Sequence, residues 1–212
     1  MRLISVNTGG PRQVTAEEGR TVRTSIWKTA RGGRVFASTT NLDGDKQSDL
    51  RVHGGVYKAV YCYPSEHYAY WREQLPEAEL PWGAFGENLT TEGLLETDLA
   101  IGDRFRIGAA EFRVTQPRQP CFKLGIRFGR EDIIARFLYS GRSGFYVAVV
   151  LEGDVGAGDA IEIVEREKDS MLVSDIFTLY TDDEGRQDDV RRAAALPALS
   201  PSWQKHFRSR VR

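Results

Sequence analysis

The sequence predicts a mainly β fold with helices, a barrel or strongly curved sheet followed by a small region of three helices. Before residue 165, many short alternating segments are separated by turn residues and interrupted by only two helical patterns, which is typical of barrels. A charged stretch at 165–170 then precedes a region whose apolar residues recur at helical spacing. We therefore predict two domains, residues 1–165 and residues 166–212, because domain boundaries fall in polar linkers.

The predicted strands share period-two alternation or a short continuous apolar run, bounded by turn residues. They cover residues 3–6, 21–27, 35–37, 59–63, 111–115 and 145–151, with two more that follow the Gly-Asp pairs at 102–103 and 158–159. The two helices among them are expected between residue 65 and Pro76, with Tyr68 and Trp71 on one face, and over 131–139.

Three short helices are predicted after the charged stretch, over 172–179, over 188–196, and from Ser200-Pro201 onward. Helices this short bury little surface alone, so we expect them to dock on the barrel. The last helix is basic, which would suit nucleic acid. We prefer the simpler interpretation that cations near a helix C-terminus complement its dipole.

Composition excludes several classes of protein. The 212 residues are 41% hydrophobic and 28% charged, with a net charge of -1, so nothing drives general binding to nucleic acid or anionic membranes. The longest apolar run, 145–151, is too short to span a membrane, and the chain opens as a strand, without the pattern of a signal peptide. Because Cys62 and Cys121 make no disulfide framework, we expect a reducing, cytoplasmic location.

The first unusual stretch runs from Gln116 to Leu124 and carries Cys121. Pro117 and Pro120 are expected to prevent both continued strand pairing and an immediate helix, which places the cysteine in a stiff, extended loop. Arg118 and Lys123 lie on either side of it. Nearby cations favour the thiolate, the form of cysteine that reacts and binds metals. The alternative is a buried, inert cysteine.

The second unusual stretch is His53-Gly54-Gly55-Val56-Tyr57-Lys58. Paired glycines let the backbone approach a ligand and expose its N–H groups, and His53 and Lys58 could both reach the same anion. The alternative is a histidine with a purely structural role. Further along, Glu87 and Asn88 could orient a polar ligand or satisfy the backbone of their own turn.

These motifs together resemble the MOSC domain family, and specifically its stand-alone YiiM-type branch, in which a β-barrel precedes a three-helix domain. The resemblance covers essentially the whole chain, with the motifs in the family's order. The motifs are Gly44-Asp45, His53-Gly54-Gly55, Lys58-Ala59-Val60-Tyr61, Phe85-Gly86-Glu87-Asn88-Leu89-Thr90-Thr91, Gly102-Asp103 and Gln116-Pro117-Arg118-Gln119-Pro120-Cys121.

The resemblance implies that the barrel binds the molybdenum cofactor (molybdopterin), in which a pterin dithiolene bearing a phosphate holds the metal. Cys121 matches the family's ligand to molybdenum, which agrees with the preference of such a metal for soft thiolate. One departure is Tyr57, where relatives often carry an acidic residue, and this leaves the substrate preference open. The other residues implied for the cofactor pocket are His53, Gly54, Gly55, Lys58, Asn88, Arg118 and Lys123, with Lys28 and Arg31 as further cofactor-binding candidates.

The reaction implied by the resemblance is the two-electron reduction of small N-hydroxylated compounds, such as hydroxylaminopurines and amidoximes. His53 or Lys58 would deliver protons. Two cysteines are too few for a protein-held iron–sulfur cluster, so electrons are expected from a separate flavoprotein reductase. A homodimer is a further expectation, although the residues themselves determine no oligomeric state. Two alternatives stay open, namely a non-catalytic carrier of the cofactor or of sulfur on Cys121, and a sensor whose last helices bind nucleic acid.

Overall fold

A computed structural model describes residues 1–15, 19, 21–48, 54–182 and 186–212. Within these residues the chain forms twelve strands, six α-helices and a short 3-10 helix at Val56–Lys58. The strands are β1 Arg2–Thr8, β2 Arg12–Thr15, β3 Thr21–Thr24, β4 Thr29–Ala30, β5 Arg34–Ala37, β6 Val60–Pro64, β7 Leu89–Glu92, β8 Arg104–Ile107, β9 Ala110–Pro117, β10 Phe145–Leu151, β11 Gly153–Gly156 and β12 Ile161–Glu165.

Eight of these strands form one sheet in the order β12-β8-β9-β10-β6-β7-β1-β4, and β11-β5 and β2-β3 form two separate antiparallel pairs. The sheet curls so that β1 meets the start of β12. The Leu3 N–H donates to the Asp159 carbonyl at 2.9 Å, and the Ile161 N–H donates to the Met1 carbonyl at 3.0 Å. These bonds join β1 to the chain entering β12, which confirms the predicted barrel-like fold.

The α-helices confirm the five predicted helical segments. A sixth helix was missed by the sequence analysis. The helix α2 follows Cys121 directly, whereas the other five occupy the predicted segments. Within the described residues, none of the helices has the length and apolar character needed to cross a membrane. The helices are α1 His67–Gln74, α2 Phe122–Phe128, α3 Ile133–Ser140, α4 Val173–Thr181, α5 Gln187–Ala195 and α6 Pro201–Arg208.

The three C-terminal helices dock on the barrel, as expected. Ile176 on α4, and Trp203 and Phe207 on α6, belong to the same buried apolar cluster as Phe105 and Phe145 of the sheet. The start of α4 is also joined to the barrel region by a backbone hydrogen bond, in which the Val173 N–H donates to the Leu99 carbonyl at 2.9 Å. The burial of these apolar side chains against the sheet stabilises helices that could not persist alone.

A second buried cluster is mostly aromatic and lies between the sheet and helices α1 and α3. Trp71 stacks on Phe137 with ring centroids 5.7 Å apart, and its indole N–H donates to the Tyr63 hydroxyl at 2.6 Å. Phe85 contacts both Tyr63 and Trp71. The aromatic face predicted for α1 is therefore core packing. The packed rings lie beneath the loop that carries Arg118 and restrict its movement.

The path of the chain before Cys121 differs from the expectation. Pro117 does not end strand pairing before it, because it is the last residue of β9 and lies opposite Phe145 in the register of β10. Proline lacks only its N–H, and β8 pairs with β9 no further than Arg113, so the end of β9 can hold a proline opposite β10 alone. Pro120 does not prevent an early helix either, since α2 begins at Phe122 with an extended Cys121 as its N-cap.

Gly144, the residue just before β10, packs closely against β6. Gly144 has a φ of +61°, and a Cβ added there would lie 2.5 Å from the Cys62 carbonyl oxygen. We expect Gly144→Ala to lower the free energy of unfolding by about 3 kcal/mol, because left-handed strain and overpacking add. Gly129→Ala is the matched control, since its φ is +62° but nothing lies within 4 Å of the added Cβ. Urea unfolding of both variants tests this, and equal losses would contradict the steric argument.

Candidate functional site

A cavity of about 90 Å³ lies where β3, β6, β10, the loop after Gly44 and the loop after β9 converge. Its described lining carries five cations but only one carboxylate, Asp45, so the cavity is strongly positive. The lining residues that carry the argument below are Lys28, Asp45, Lys46, Ser48, Gly54, Lys58, Tyr61, Asn88, Arg118, Cys121, Lys123 and Tyr146.

Cys121 lies at the mouth of this cavity and is partly exposed. Its backbone is extended, with φ -127° and ψ 166°, and the first turn of α2 follows it. The two prolines before it restrict the backbone of the loop, so the thiol is presented rigidly. A partly exposed cysteine in this position is accessible to a metal or to a reactant. Cys62, by contrast, is fully buried, and burial raises the pKa of its thiol.

Arg118 is a buried cation, only 5% exposed. Its guanidinium carbon lies 5.1 Å from the ring centroid of Tyr61 and 4.9 Å from that of Phe137. Burial opposes the charge, but the phenol oxygens of Tyr61 and Tyr146 offset that effect and the pKa of Arg118 is raised. Its Nη1 has no hydrogen-bond partner among the described residues. A buried, unsatisfied donor is costly, and an anion in the cavity would relieve that cost.

Lys28, predicted as a candidate for cofactor binding, lines the cavity but also has an internal partner. Its ammonium donates to Asp45 Oδ1 at 2.6 Å, and both side chains are nearly buried. Burial lowers the pKa of Lys28, while Asp45 opposes that shift. Asn88 Nδ2 donates to Asp45 Oδ2 at 3.0 Å, and Asn88 Oδ1 accepts the Tyr61 N–H at 3.1 Å. These contacts hold Lys28, Asp45 and Asn88 together in one wall of the cavity.

Lys58 and Lys123 approach Cys121 from two different elements. Lys58 ends the 3-10 helix, and burial lowers the pKa of its ammonium while the nearby Cys121 opposes that shift. Lys123 lies in the first turn of α2, is 8% exposed, and places its Nζ 3.5 Å from Ser48 Oγ. Lys58, Lys123 and Arg118 therefore line the same cavity as Cys121.

The remaining candidate residues do not all line the cavity. Gly54 lines the cavity, whereas Gly55 lines only the adjoining cleft described below. Arg31 is exposed just after β4, with its N–H donating to the Val6 carbonyl at 2.8 Å, and it is not part of the cavity wall. His53 lies outside the residues that the structure describes. Glu87 does not line the cavity, because its carboxylate accepts the Gly83 and Phe85 N–H groups at 2.7 and 3.1 Å.

A second, wider cleft of about 800 Å³ opens on the other side of Cys121. The two spaces meet at five shared lining residues. The remaining wall comes from the 3-10 helix, the end of β9, and helices α4 and α6. The shared residues are Gly54, Lys58, Gln119, Cys121 and Tyr146.

Tyr146 is a site residue that sequence reasoning missed. It lies in the run 145–151, which was interpreted as a central strand, and β10 is indeed that strand. Its ring packs 5.2 Å from that of Tyr61, and its hydroxyl lies close to the guanidinium of Arg118. Burial raises the pKa of Tyr146, which keeps the phenol protonated. A hydroxyl within an otherwise apolar run was the only signal in the sequence.

The residues of the cavity fit the molybdenum cofactor. Arg118, Lys123 and Lys46 offer cationic donors to a phosphate, and Cys121 offers one soft sulfur ligand. Among the described residues, no group of three His, Cys, Asp or Glu side chains could hold a metal ion by itself. A single protein thiolate is sufficient where the cofactor supplies its own sulfur ligands.

Comparison with known proteins shows which family the chain resembles. Residues 49–162 match the model of the MOSC domain, and residues 173–212 match that of the YiiM-like 3-alpha helix domain. YflK from Bacillus subtilis is 38% identical over 97% of this chain and 92% of its own length. A protein named Reductase from Gibberella moniliformis is 37% identical over 70% of this chain, but only 27% of that protein is covered.

Among solved structures, the crystal structure of YiiM from Geobacillus stearothermophilus superposes with a TM-score of 0.84 at 34% identity, covering 100% of this chain and 99% of that one. The match extends through the barrel and the helical region alike. The chain therefore belongs to the MOSC domain family, in the branch whose barrel is followed by a YiiM-like three-helix domain.

Proposed function

We propose that this protein is a molybdenum-cofactor-dependent oxidoreductase that reduces N-hydroxylated compounds, such as hydroxylaminopurines and amidoximes, to the corresponding amine or amidine. The observation that carries the proposal is the position of Cys121 at the junction of a cationic cavity and an open cleft. One space suits an anionic cofactor and the other an organic substrate, and both contact the same thiol. The relative named Reductase supports an oxidoreductase role at the level of the family.

The overall reaction consumes two electrons and two protons, and it converts the N–OH group to N–H and water. The bound cofactor would supply the two-electron redox chemistry at the metal. Arg118, Lys123 and Lys46 would hold its phosphate, and Cys121 its metal. The rigid aromatic cluster beneath Arg118 would keep these groups in place, because preorganised donors stabilise charge without having to rearrange.

Protons would come from side chains that line both spaces. The pKa of Lys58 is lowered by burial, which makes its ammonium a better proton donor near neutral pH. The protonated hydroxyl of Tyr146 lies on the same junction. His53 is a further candidate from the sequence. Since the whole chain contains two cysteines and a protein-held cluster normally takes four, electrons would come from a separate flavoprotein reductase.

The direct test is an assay of the protein purified from a cofactor-producing host. Dithionite-reduced viologen replaces the partner reductase, and chromatography follows the conversion of benzamidoxime to benzamidine. We expect product in proportion to molybdenum content, and none from protein made in a tungstate-supplemented host. Full molybdenum occupancy without reduction of any N-hydroxylated compound would instead indicate a carrier of the cofactor.

A further inference from the structure

The wider cleft combines residues from both parts of the chain. Tyr57 and Gln116 come from the barrel side, and Phe122 follows Cys121 on α2. The opposite wall consists of Tyr180 on α4 and the first turns of α6. A volume of about 800 Å³ lies in the range of small-molecule sites. The C-terminal helices therefore build one wall of the cleft that adjoins Cys121.

The helical wall is aromatic and held in place. The Tyr180 ring lies 5.0 Å from that of Trp203 and 5.1 Å from that of His206. Gln119 Nε2 donates to the Tyr180 hydroxyl, which ties this wall to the loop before Cys121. Trp203 is only 5% exposed and anchors the wall in the core, whereas Tyr180 is half-buried. Flat aromatic walls of this kind favour planar ligands.

The barrel side contributes an unsatisfied acceptor. Gln116 lines the cleft and is 2% exposed, and its Oε1 has no hydrogen-bond partner among the described residues. Buried amide oxygens are normally paired. A ligand N–H could supply the missing partner. No carboxylate occurs among the described residues that line the cleft, so an N–H donor from a neutral ring is a better match there than a cation drawn by charge.

We propose that this cleft binds the organic substrate through a planar ring, with Tyr180 and its neighbours on α6 contacting the ring and Gln116 accepting a hydrogen bond from a substrate N–H. The inference rests on the proposed function for the identity of the reaction, but it assigns ring selectivity to the C-terminal helices. These helices would then determine which N-hydroxylated compounds are preferred, while the barrel holds the cofactor.

The first test measures binding without turnover. Adenine, a planar ring with N–H donors and no N–O bond, is titrated into the protein by calorimetry. We expect Tyr180→Leu and Gln116→Met each to weaken adenine binding about tenfold, the loss typical of one stacking contact or one hydrogen bond. Tyr180→Phe keeps the ring and should retain most of the affinity. The matched control is Tyr139→Leu, because Tyr139 is 94% exposed on α3 and lines neither space.

The second test measures selectivity with two amidoximes that differ in the ring alone, benzamidoxime and acetamidoxime. Tyr180→Leu should lower kcat/KM for benzamidoxime about tenfold and leave acetamidoxime nearly unchanged. Equal effects on both compounds, together with unchanged adenine binding, would overturn the inference while leaving the proposed function intact. A raised KM for the electron donor alone would also overturn it and assign the cleft to the partner protein. If the wild type reduces neither compound, the proposed function fails, and loss of adenine binding in Tyr180→Leu would still support a ring-binding cleft.

Discussion

Replacing Cys121 by serine is expected to remove molybdenum from the purified protein. The rate at which N-hydroxylated compounds are reduced should then fall to the background level. A serine hydroxyl is a harder and less acidic ligand than a thiol, so it is a poor replacement for soft thiolate at such a metal. Elemental analysis of wild type and variant, both from a cofactor-producing host, measures the first effect. The amidoxime assay measures the second.

The matched control for this experiment is Cys62→Ala. Cys62 is fully buried in β6, opposite Phe145 of β10, and lines neither the cavity nor the cleft. We expect this variant to keep its molybdenum and to lose only about 1 kcal/mol of stability through the small cavity created. Equal molybdenum in wild type and Cys121→Ser would remove Cys121 from the coordination of the metal and would require another ligand.

Replacing Arg118 by methionine is expected to separate stability from binding. The apo protein should change little in free energy of unfolding, because loss of the contacts with the rings of Tyr61 and Phe137 offsets the removal of a buried Nη1 without a hydrogen-bond partner. Retention of the cofactor should fall about 10- to 100-fold, since charge-assisted hydrogen bonds to a phosphate are lost. Urea unfolding of apo protein and molybdenum content after dialysis measure the two effects.

Arg127→Met is the control for a change from arginine to methionine near aromatic rings. The Arg127 guanidinium lies 5.7 Å from the ring centroid of Trp27 and 5.8 Å from that of Phe128, but Arg127 lines neither space. It should therefore leave molybdenum content unchanged. If Arg118→Met destabilises the apo protein strongly and retains the cofactor, then Arg118 serves the fold and the phosphate is bound elsewhere.

Much of the fold could be predicted from the sequence because its signals are local. The period-two runs of β3 and β9 and the continuous apolar run of β10 each extend over a few residues, and Ser200-Pro201 marks the start of α6 within a single turn. The failures occurred where local rules compete. Pro117 remained in the ladder at its end, and α2 began immediately after Cys121 although Pro120 precedes it.

The candidate site, like the fold, could be predicted from the sequence only in part. The sequence by itself identified Cys121, with Arg118 and Lys123 beside it, because these residues are neighbours along the chain. The family's motifs added Lys58 and Gly54, which the structure places around the same cavity. The partner of Lys28 could not be predicted, since Asp45 reaches it only after the loop that follows β3 and the loop that follows β5 have folded together.

What the sequence determined, then, is the order of the strands and helices along the chain and the identity of the thiol. Only the tertiary structure decided that α4 and α6 face this thiol, because Tyr180 lies 59 positions beyond Cys121 and no periodic pattern connects them. Docking of these helices depends on the burial of Ile176 and Phe207 against the sheet. Such long-range contacts reflect shape and apolar area over the whole molecule, which a local pattern cannot encode.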